Sequence, residues 1–314
     1  MYFPYLRGKQ YELSALRATL GTTSNLTTFP IIEPVKENLS SLTKCLEAFD
    51  EASRNIVAIV NPDCGGQISP SDPCISDLIL DGFTKSSVSV GILLKSHTTF
   101  DEILGLINKH NEQKIYFIHS GFMDPGSLID YLGDSKQNHI FIDNYHTSAY
   151  YNKFSGFKAL IRDGFKRKSR NADFPELEHF SDLHANYQNL QLDGFGDFLI
   201  VGDHFTPADR GGQASTVAIH MSHLNESDMF VYHFLSDDQL SPGDAPAKFL
   251  QALGHLINKV SMNNPALLKT NGYLGFLDYY QRKHFPNLGK VKELSMIHHI
   301  EVLNNFLISS STNP

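Results

Sequence analysis

Apolar runs of strand length, rich in Ile, Val and Phe, recur through the first three quarters of the chain, with helically spaced segments between them. The runs are Phe29–Glu33, Asn55–Asn61, Val88–Lys95, Lys114–His119, His139–Asp143, Lys158–Arg162, Asp197–Gly202 and Met229–Phe234. Their hydrophobicity is nearly continuous rather than alternating, as expected of strands covered on both faces in a parallel sheet. Leu39–Glu51 places Leu39, Leu42, Leu46 and Phe49 at three- and four-residue spacing, and Thr99–Lys109 does the same with Ile103, Leu106 and Ile107. That is the apolar stripe of a helix laid on a sheet. Thr99 followed by Glu102 has capping-box spacing.

Repeated β-then-α units up to residue 244 predict an irregular TIM-like (β/α)8 barrel, whose typical length is about 250 residues. An open doubly wound sheet is the rival. It loses ground because no strand is followed by a GxGxxG fingerprint. Ser215–His223 reads as a further strand that would pair with the run at Met229 as an antiparallel hairpin, leaving the barrel irregular near its closure. From Ala245 to residue 308 the spacing is helical, with Phe249, Leu253, Leu256 and Val260 on one stripe and Leu294, Ile297, Ile300, Val302, Leu303 and Phe306 on a later one. Pro265 and Pro286 break this region into at least two helices expected to pack on the barrel. Residues 309–314 are a polar tail expected to fray.

Composition narrows the class. The 314 residues are 41% hydrophobic and 19% charged, with 26 basic and 34 acidic side chains and a formal net charge of -8. Such a chain can bury a core, and its acidic balance argues against a surface coated for nucleic acid. No apolar run approaches the ~18–20 residues of a membrane span. The opening MYFPYLRGKQ carries charge where a signal peptide needs its apolar segment, so a cytoplasmic protein without a membrane partner is expected. Cys45, Cys64 and Cys74 are odd in number and lack CxxC spacing, which favours reduced thiols over a disulfide framework or structural zinc.

Each apolar run ends in a group capable of chemistry: Glu33, Asn61 with Asp63, Lys95 with His97, His119, Asp143 with His146, Arg162 with Asp163, Asp203 with His204, and His233. In parallel α/β folds the carboxyl ends of the strands form the ligand face. For any single residue the plainer reading is that water begins at strand ends and that Asp and Asn cap the next helix. As a set, with Glu33, Lys95, Asp143 and Asp203 at its centre, they predict a convergent polar pocket. Glu33, Asp143 and Asp203 are oxygen ligands of the kind Mg2+ or Mn2+ takes. Lys95 is either a salt-bridge partner or a lysine of the Schiff-base kind. His119 and His220 are candidate general acids, and Asn61 and Arg162 candidate ligand contacts. Arg210 with Gly211 and Gly212 has the ingredients of an anion nest, although a hairpin turn explains the glycines equally well. The basic run Arg162–Arg170 could meet a phosphate backbone, but such runs are usually solvated loops. His298 and His299, adjacent on a predicted helix, cannot face one ligand. HExxH, GxSxG and P-loop signatures are absent.

Tyr2, Pro4, Lys9, Glu12, Ala15, Leu16, Pro30 and Glu33 stand in Tyr-x-Pro, Lys-x-x-Glu-x-x-Ala-Leu and Pro-x-x-Glu spacing. With DGF and RNADF (Asp163–Phe165, Arg170–Phe174), GFGDF (Gly194–Phe198), VAIH (Val217–His220) and HFPNLGKVKELSMIHH (His284–His299), they make nearly the whole chain resemble the phage Beta protein family and its bacterial relatives. The resemblance implies a barrel-like α/β fold and an accessory role in mobile or phage-defence regions, sometimes beside a nuclease. It implies no particular reaction and no catalytic residues.

The expected function is binding of an anionic, phosphorylated ligand at the strand ends, with metal-dependent, phosphodiesterase-like hydrolysis. Lys95 and Arg210 would neutralise charge. The competing expectation is a non-enzymatic recognition or scaffold protein that acts with a partner such as a nuclease, through the basic loop and the terminal helices. Direct nucleic-acid binding through Arg162–Arg170 is a third, less favoured reading. The first two differ in a visible way: strand-end groups either surround an open pocket or close one another off with salt bridges.

Overall fold

A computed structural model of the protein describes residues 1–24, 27–65, 75–83, 87–205, 215–237, 242–261 and 267–312. Eight parallel strands close into a barrel in the order β1 (Tyr2–Leu6), β2 (Ile31–Ile32), β3 (Ile56–Ile59), β4 (Val88–Lys95), β5 (Ile115–Ser120), β6 (Gln137–Ile142), β7 (Gly156–Arg162) and β9 (Gly194–Asp197), with β9 pairing back to β1. The fold is an α/β barrel of the TIM type. Around it lie α1 (Gln10–Ala18), α2 (Ser40–Glu51), α3 (Ile75–Gly82), α4 (Phe100–Lys109), α5 (Pro125–Leu132) and the short α6 (Ser148–Tyr151) and α7 (Leu183–Asn186). The Thr99 hydroxyl and the Glu102 carboxylate form the capping box that opens α4.

Side chains alternate across every strand. Phe3, Tyr5, Ile31, Val57, Ile59, Leu93, Tyr116, Ile118, Ile140, Ile142, Ile161 and Phe198 meet inside the barrel. Their neighbours, such as Tyr2, Leu6, Ile32, Ala58, Leu94, Phe117, Phe141 and Leu160, face the helices. Gly91 leaves the room in which Ile59 and Ile118 meet, since a Cβ there would lie 2.9 Å from Ile59 and 3.0 Å from Ile118.

Two expected barrel strands need correction. The run Asp197–Gly202 is strand only up to Asp197, because the Asp197 carboxylate accepts the Leu199 N–H at 2.9 Å and turns the chain into a short 3-10 segment, Leu199–Val201. Met229–Phe234 is not in the barrel. It belongs to β11 (Asp228–Leu235), the central strand of a separate antiparallel sheet, between β10 (Ala218–Asn225) and β8 (Leu177–Ser181). The missing barrel strand is β1, where Pro4 and the nearby charges mask a short buried run.

One face of the small sheet packs against α8 (Ala245–Ser261), where Lys259 lies over the Tyr232 ring. The other face meets α10 (Leu288–Thr312), which also packs on α1 and on α9 (Asn271–Arg282). α10 is buried around most of its circumference, polar positions included: Glu293, Ser295, His298, His299, Glu301 and Asn304 are all buried. Among the described residues no helix is long and apolar enough to cross a membrane.

Candidate functional site at the barrel mouth

The strand alternation decides which strand-end residues reach the mouth. On β1 the inward positions are Phe3 and Tyr5 and then, just past the strand, Arg7. Glu33 continues the inward row of Ile31, and Asn61 that of Val57 and Ile59. Lys95 follows Leu93, and Asp163 follows Ile161. Asp203 arrives through the turn after β9, where Gly202 takes a φ of +72° beside the Asp163 carboxylate.

Arg7 is the hub. Its Nη1 donates to Glu33 Oε2 at 2.7 Å and to Cys64 Sγ at 3.1 Å, and its Nη2 donates to the Asp203 carbonyl at 2.9 Å and to the Asp203 carboxylate. Tyr5 Oη donates to Glu33 Oε2 at 2.7 Å, and the Asp63 N–H and Cys64 Sγ reach Glu33 Oε1 at 3.0 and 3.4 Å. Glu33, 1% exposed, therefore has both oxygens engaged on each side. Lys95 Nζ lies 3.4 Å from Asp63 Oδ2, and His97 Nε2 lies 3.2 Å from Asp63 Oδ1. Asp163 accepts the N–H groups of Phe165 and Asp203 at 3.0 and 2.9 Å. Burial works against the Arg7 charge, but Tyr5 and Glu33 more than restore it and raise its pKa. Burial lifts the Asp203 carboxyl above the usual range against the pull of Arg7, with Asp163 adding to the rise. Burial likewise lifts Asp163. The Cys64 thiol is pushed up to about 11 by burial and by Glu33, so it stays protonated near neutral pH.

Asn61, on the inward row, is committed to two 2.8 Å hydrogen bonds with the Leu93 backbone, extending the β3–β4 pairing as a strand would. Other expected site residues stand elsewhere. His119 points outward into the helix layer, fully buried, with Nδ1 at 3.0 Å from Tyr150 Oη and Nε2 at 3.0 Å from His139 Nδ1. Its parity on β5 is that of Phe117. Burial depresses its pKa well below the ordinary histidine value. Asp143 and Arg162 also fall on outward parity: Arg162 Nε donates to Asp143 Oδ2 at 2.7 Å and Nη1 to Asp182 Oδ1 at 3.1 Å. His220 is on the small sheet, Nδ1 to Nδ1 with His233 at 2.7 Å. Burial takes His220 down to about 3 and His233 to about 4. His298 and His299 serve packing, bound to Thr270 and to Ser222 and Asp197 respectively. Arg210, Gly211 and Gly212 lie outside the described residues.

Glu33, Asp143 and Asp203 thus do not form a ligand set. Glu33 and Asp203 share Arg7 between them, and Asp143 is on the opposite parity with Arg162. Among the described residues no three His, Cys, Asp or Glu side chains come together as a metal site. In the basic run, Lys168 pairs with Glu178 at 2.7 Å and Arg170 with Asp173, while Lys166 and Arg167 are exposed. A cavity of about 610 Å3 opens beside the mouth, between the loops that lead into α1 and α2, lined in part by Gly8, Gln10, Lys36, Asn38 and Ser40.

Arg7 ends no apolar run of the kind that marks the other strand-end groups. The signal available was the period-two row Phe3, Tyr5, Arg7, legible only once the opening segment is taken as a strand.

No described protein family and no curated protein matches the chain. Among solved structures, SuiB of Streptococcus suis, determined bound to the precursor peptide SuiA, is similar with 13% sequence identity and a TM-score of 0.32, over 62% of this chain and 48% of that chain. The chain thus matches about half of SuiB's length. At that TM-score the likeness adds nothing to the topology read from strand pairing.

Proposed function

We propose that the protein is a non-enzymatic recognition or scaffold barrel that works with a protein partner, such as a nuclease, in a phage-defence or mobile-element setting. The observation that carries this reading is the closure of the mouth. Glu33, the innermost carboxylate, is held by Tyr5, Arg7, Cys64 and the Asp63 backbone, and Arg7 is divided between Glu33 and Asp203. A catalytic base or metal ligand needs a free lone pair, and a cation that binds substrate needs a free face. Charge points the same way: at the inward rim, Arg7 and Lys95 face Glu33, Asp63, Asp163 and Asp203, a poor balance for a phosphorylated ligand. The accessory setting follows from the family resemblance, and the exposed Lys166 and Arg167 offer a contact surface.

The test has two arms. The purified protein, incubated with Mg2+ or Mn2+ and bis(p-nitrophenyl) phosphate or nucleotides, should show no turnover above buffer. It should form a defined complex on gel filtration with a protein partner, a nuclease where one is encoded nearby, and Lys166→Glu with Arg167→Glu should weaken that complex. Metal-dependent turnover that Asp203→Asn abolishes would overturn the proposal.

Lys95 and His97 favour a second reading, capture of an anionic ligand at the mouth without metal chemistry. Their side chains are 26% and 69% exposed. In that case Lys95→Ala weakens binding of phosphate compounds severalfold, whereas on the scaffold reading it changes nothing.

A further inference from the structure

His220 on β10 and His233 on β11 stand directly opposite one another in the antiparallel register. The Ser236 N–H donates to the Val217 carbonyl at 2.9 Å, three positions along, while the His233 N–H turns away to the Glu176 carbonyl at 2.9 Å. By the alternation of an antiparallel ladder, His220 and His233 are a non-hydrogen-bonded pair, in which Cα atoms approach to about 4.5 Å and side chains lie closest. Their rings turn Nδ1 toward Nδ1 at 2.7 Å. Behind the pair, His233 Nε2 is buried without a hydrogen-bond partner and lies 3.9 Å from Glu178 Oε2 on β8. The rings of Phe174 and Phe165 close the flanks, 4.5 Å from His233 and 5.1 Å from His220.

We propose that His220 and His233 are a two-histidine site for a divalent ion that prefers imidazole, Zn2+ or Cu2+, with Glu178 orienting His233 and solvent or a further ligand completing the coordination. Both Nδ1 atoms then carry lone pairs toward the ion, and the His233 proton sits on Nε2, facing the carboxylate. A ligating histidine regularly hands its second N–H to a carboxylate in this way; here Glu178 Oε2 must close in from 3.9 Å to partner the orphaned Nε2, while its Oε1 stays with Lys168 Nζ at 2.7 Å. Such ions choose imidazole over carboxylate alone. Two nitrogens bound tetrahedrally at about 2.0–2.1 Å are roughly 3.3 Å apart, so the pair must open slightly. His220, on the edge strand and the less buried of the two, is the ring that would shift, against Phe165 and Phe174. The site is independent of the barrel mouth and of the function proposed for it.

The experiment is a titration of the metal-free full chain with Zn2+ at pH 7.5 by calorimetry, repeated with Cu2+ under electron paramagnetic resonance. One saturable equivalent with nitrogen hyperfine coupling from imidazole is expected. His220→Gln and His233→Gln should each weaken that equivalent at least 100-fold, and Glu178→Gln about 10–100-fold with unchanged stoichiometry. Binding that the variants share with the wild type, or no saturable binding, would show that the pair is a simple mutual hydrogen bond and overturn the proposal. Should the His233 variant fail to fold, 15N-histidine spectra of the wild type decide. The first equivalent of Zn2+ must move the Nδ1 signals of His220 and His233, and movement confined to other histidines overturns the site.

Discussion

Arg7 holds four groups that would otherwise be in conflict: the buried Glu33 carboxylate, the Cys64 thiol, and the carbonyl and carboxylate of Asp203. Removing one member of a buried ion pair leaves the other charge without compensation, which typically costs 3–5 kcal/mol. Arg7→Ala is therefore expected to lower unfolding free energy by about 3–5 kcal/mol in urea titrations, and Arg7→Ala with Glu33→Gln to recover part of that loss. A second residue-scale consequence comes from buried histidines. His139 and His298 are brought down to about 4 by burial, and burial also holds His119 well below the ordinary histidine value. Between pH 4 and the unfolded value near 6.5 the unfolded chain binds more protons than the folded one, so stability rises with pH through that window. It is full above about pH 6.5 and is lost as pH falls toward 4. Urea midpoints measured from pH 7.5 to 4.5 should fall accordingly, with a shallower slope in His298→Gln.

At the scale of elements, glycine positions separate packing from propensity. α9 crosses α10 at Gly272, where a Cβ would meet the Leu294 carbonyl at 2.4 Å and the His298 backbone nitrogen at 2.6 Å. Neither is the tip of a flexible side chain, so Gly272→Ala must push the helices apart and should cost about 1–3 kcal/mol. Gly254 sits within α8 with nothing inside 4 Å of its would-be Cβ. Gly254→Ala should instead gain up to about 1 kcal/mol from helix propensity alone. Thermal unfolding of the two variants beside the wild type should show shifts of opposite sign. The terminal helices follow the same logic: α10 is polar at many buried positions because Glu293, His298, His299, Glu301 and Asn304 each meet a partner outside the helix, as Glu301 does at the start of α9.

For the molecule as a whole, a buried line of contacts ties the barrel to the small sheet and the last helix. Asp197, at the end of β9, accepts Tyr2 Oη at 2.9 Å, the Leu199 N–H at 2.9 Å and His299 Nε2 at 3.1 Å, while His299 Nδ1 meets the Ser222 hydroxyl at 2.6 Å. Three donors on one carboxylate leave no good place for an amide. Asp197→Asn should cost about 1.5–3 kcal/mol, the worth of a hydrogen bond to a charged group. The chain has no Trp, so tyrosine emission and far-UV circular dichroism serve as the two probes. Their transitions should coincide in the wild type and shift together in the variant. Separate transitions would mean that barrel and terminal helices unfold independently.

The sequence by itself determined a parallel α/β fold, because a strand covered on both faces must be apolar along its whole length and such runs alternate with helical stripes, and it favoured a barrel over an open doubly wound sheet, which the pairing of β9 with β1 then decided. It also located polar groups at strand ends. What it could not decide was which of those groups share a space. Side chains alternate faces at every residue, so Arg162 and Asp163, adjacent in the chain, go to opposite sides of the barrel wall. His119 follows Phe117 outward, while Lys95 follows Leu93 inward. Only closure of the barrel through β1 set these parities against a common axis. It brought Arg7 from the amino terminus to Glu33 and Asp203, a meeting that no local pattern records. The same holds for Met229–Phe234, whose apolar run suits a barrel strand or a sandwiched sheet equally well. Its place was settled by the hairpin partner and helices on either face, which are contacts distant in sequence.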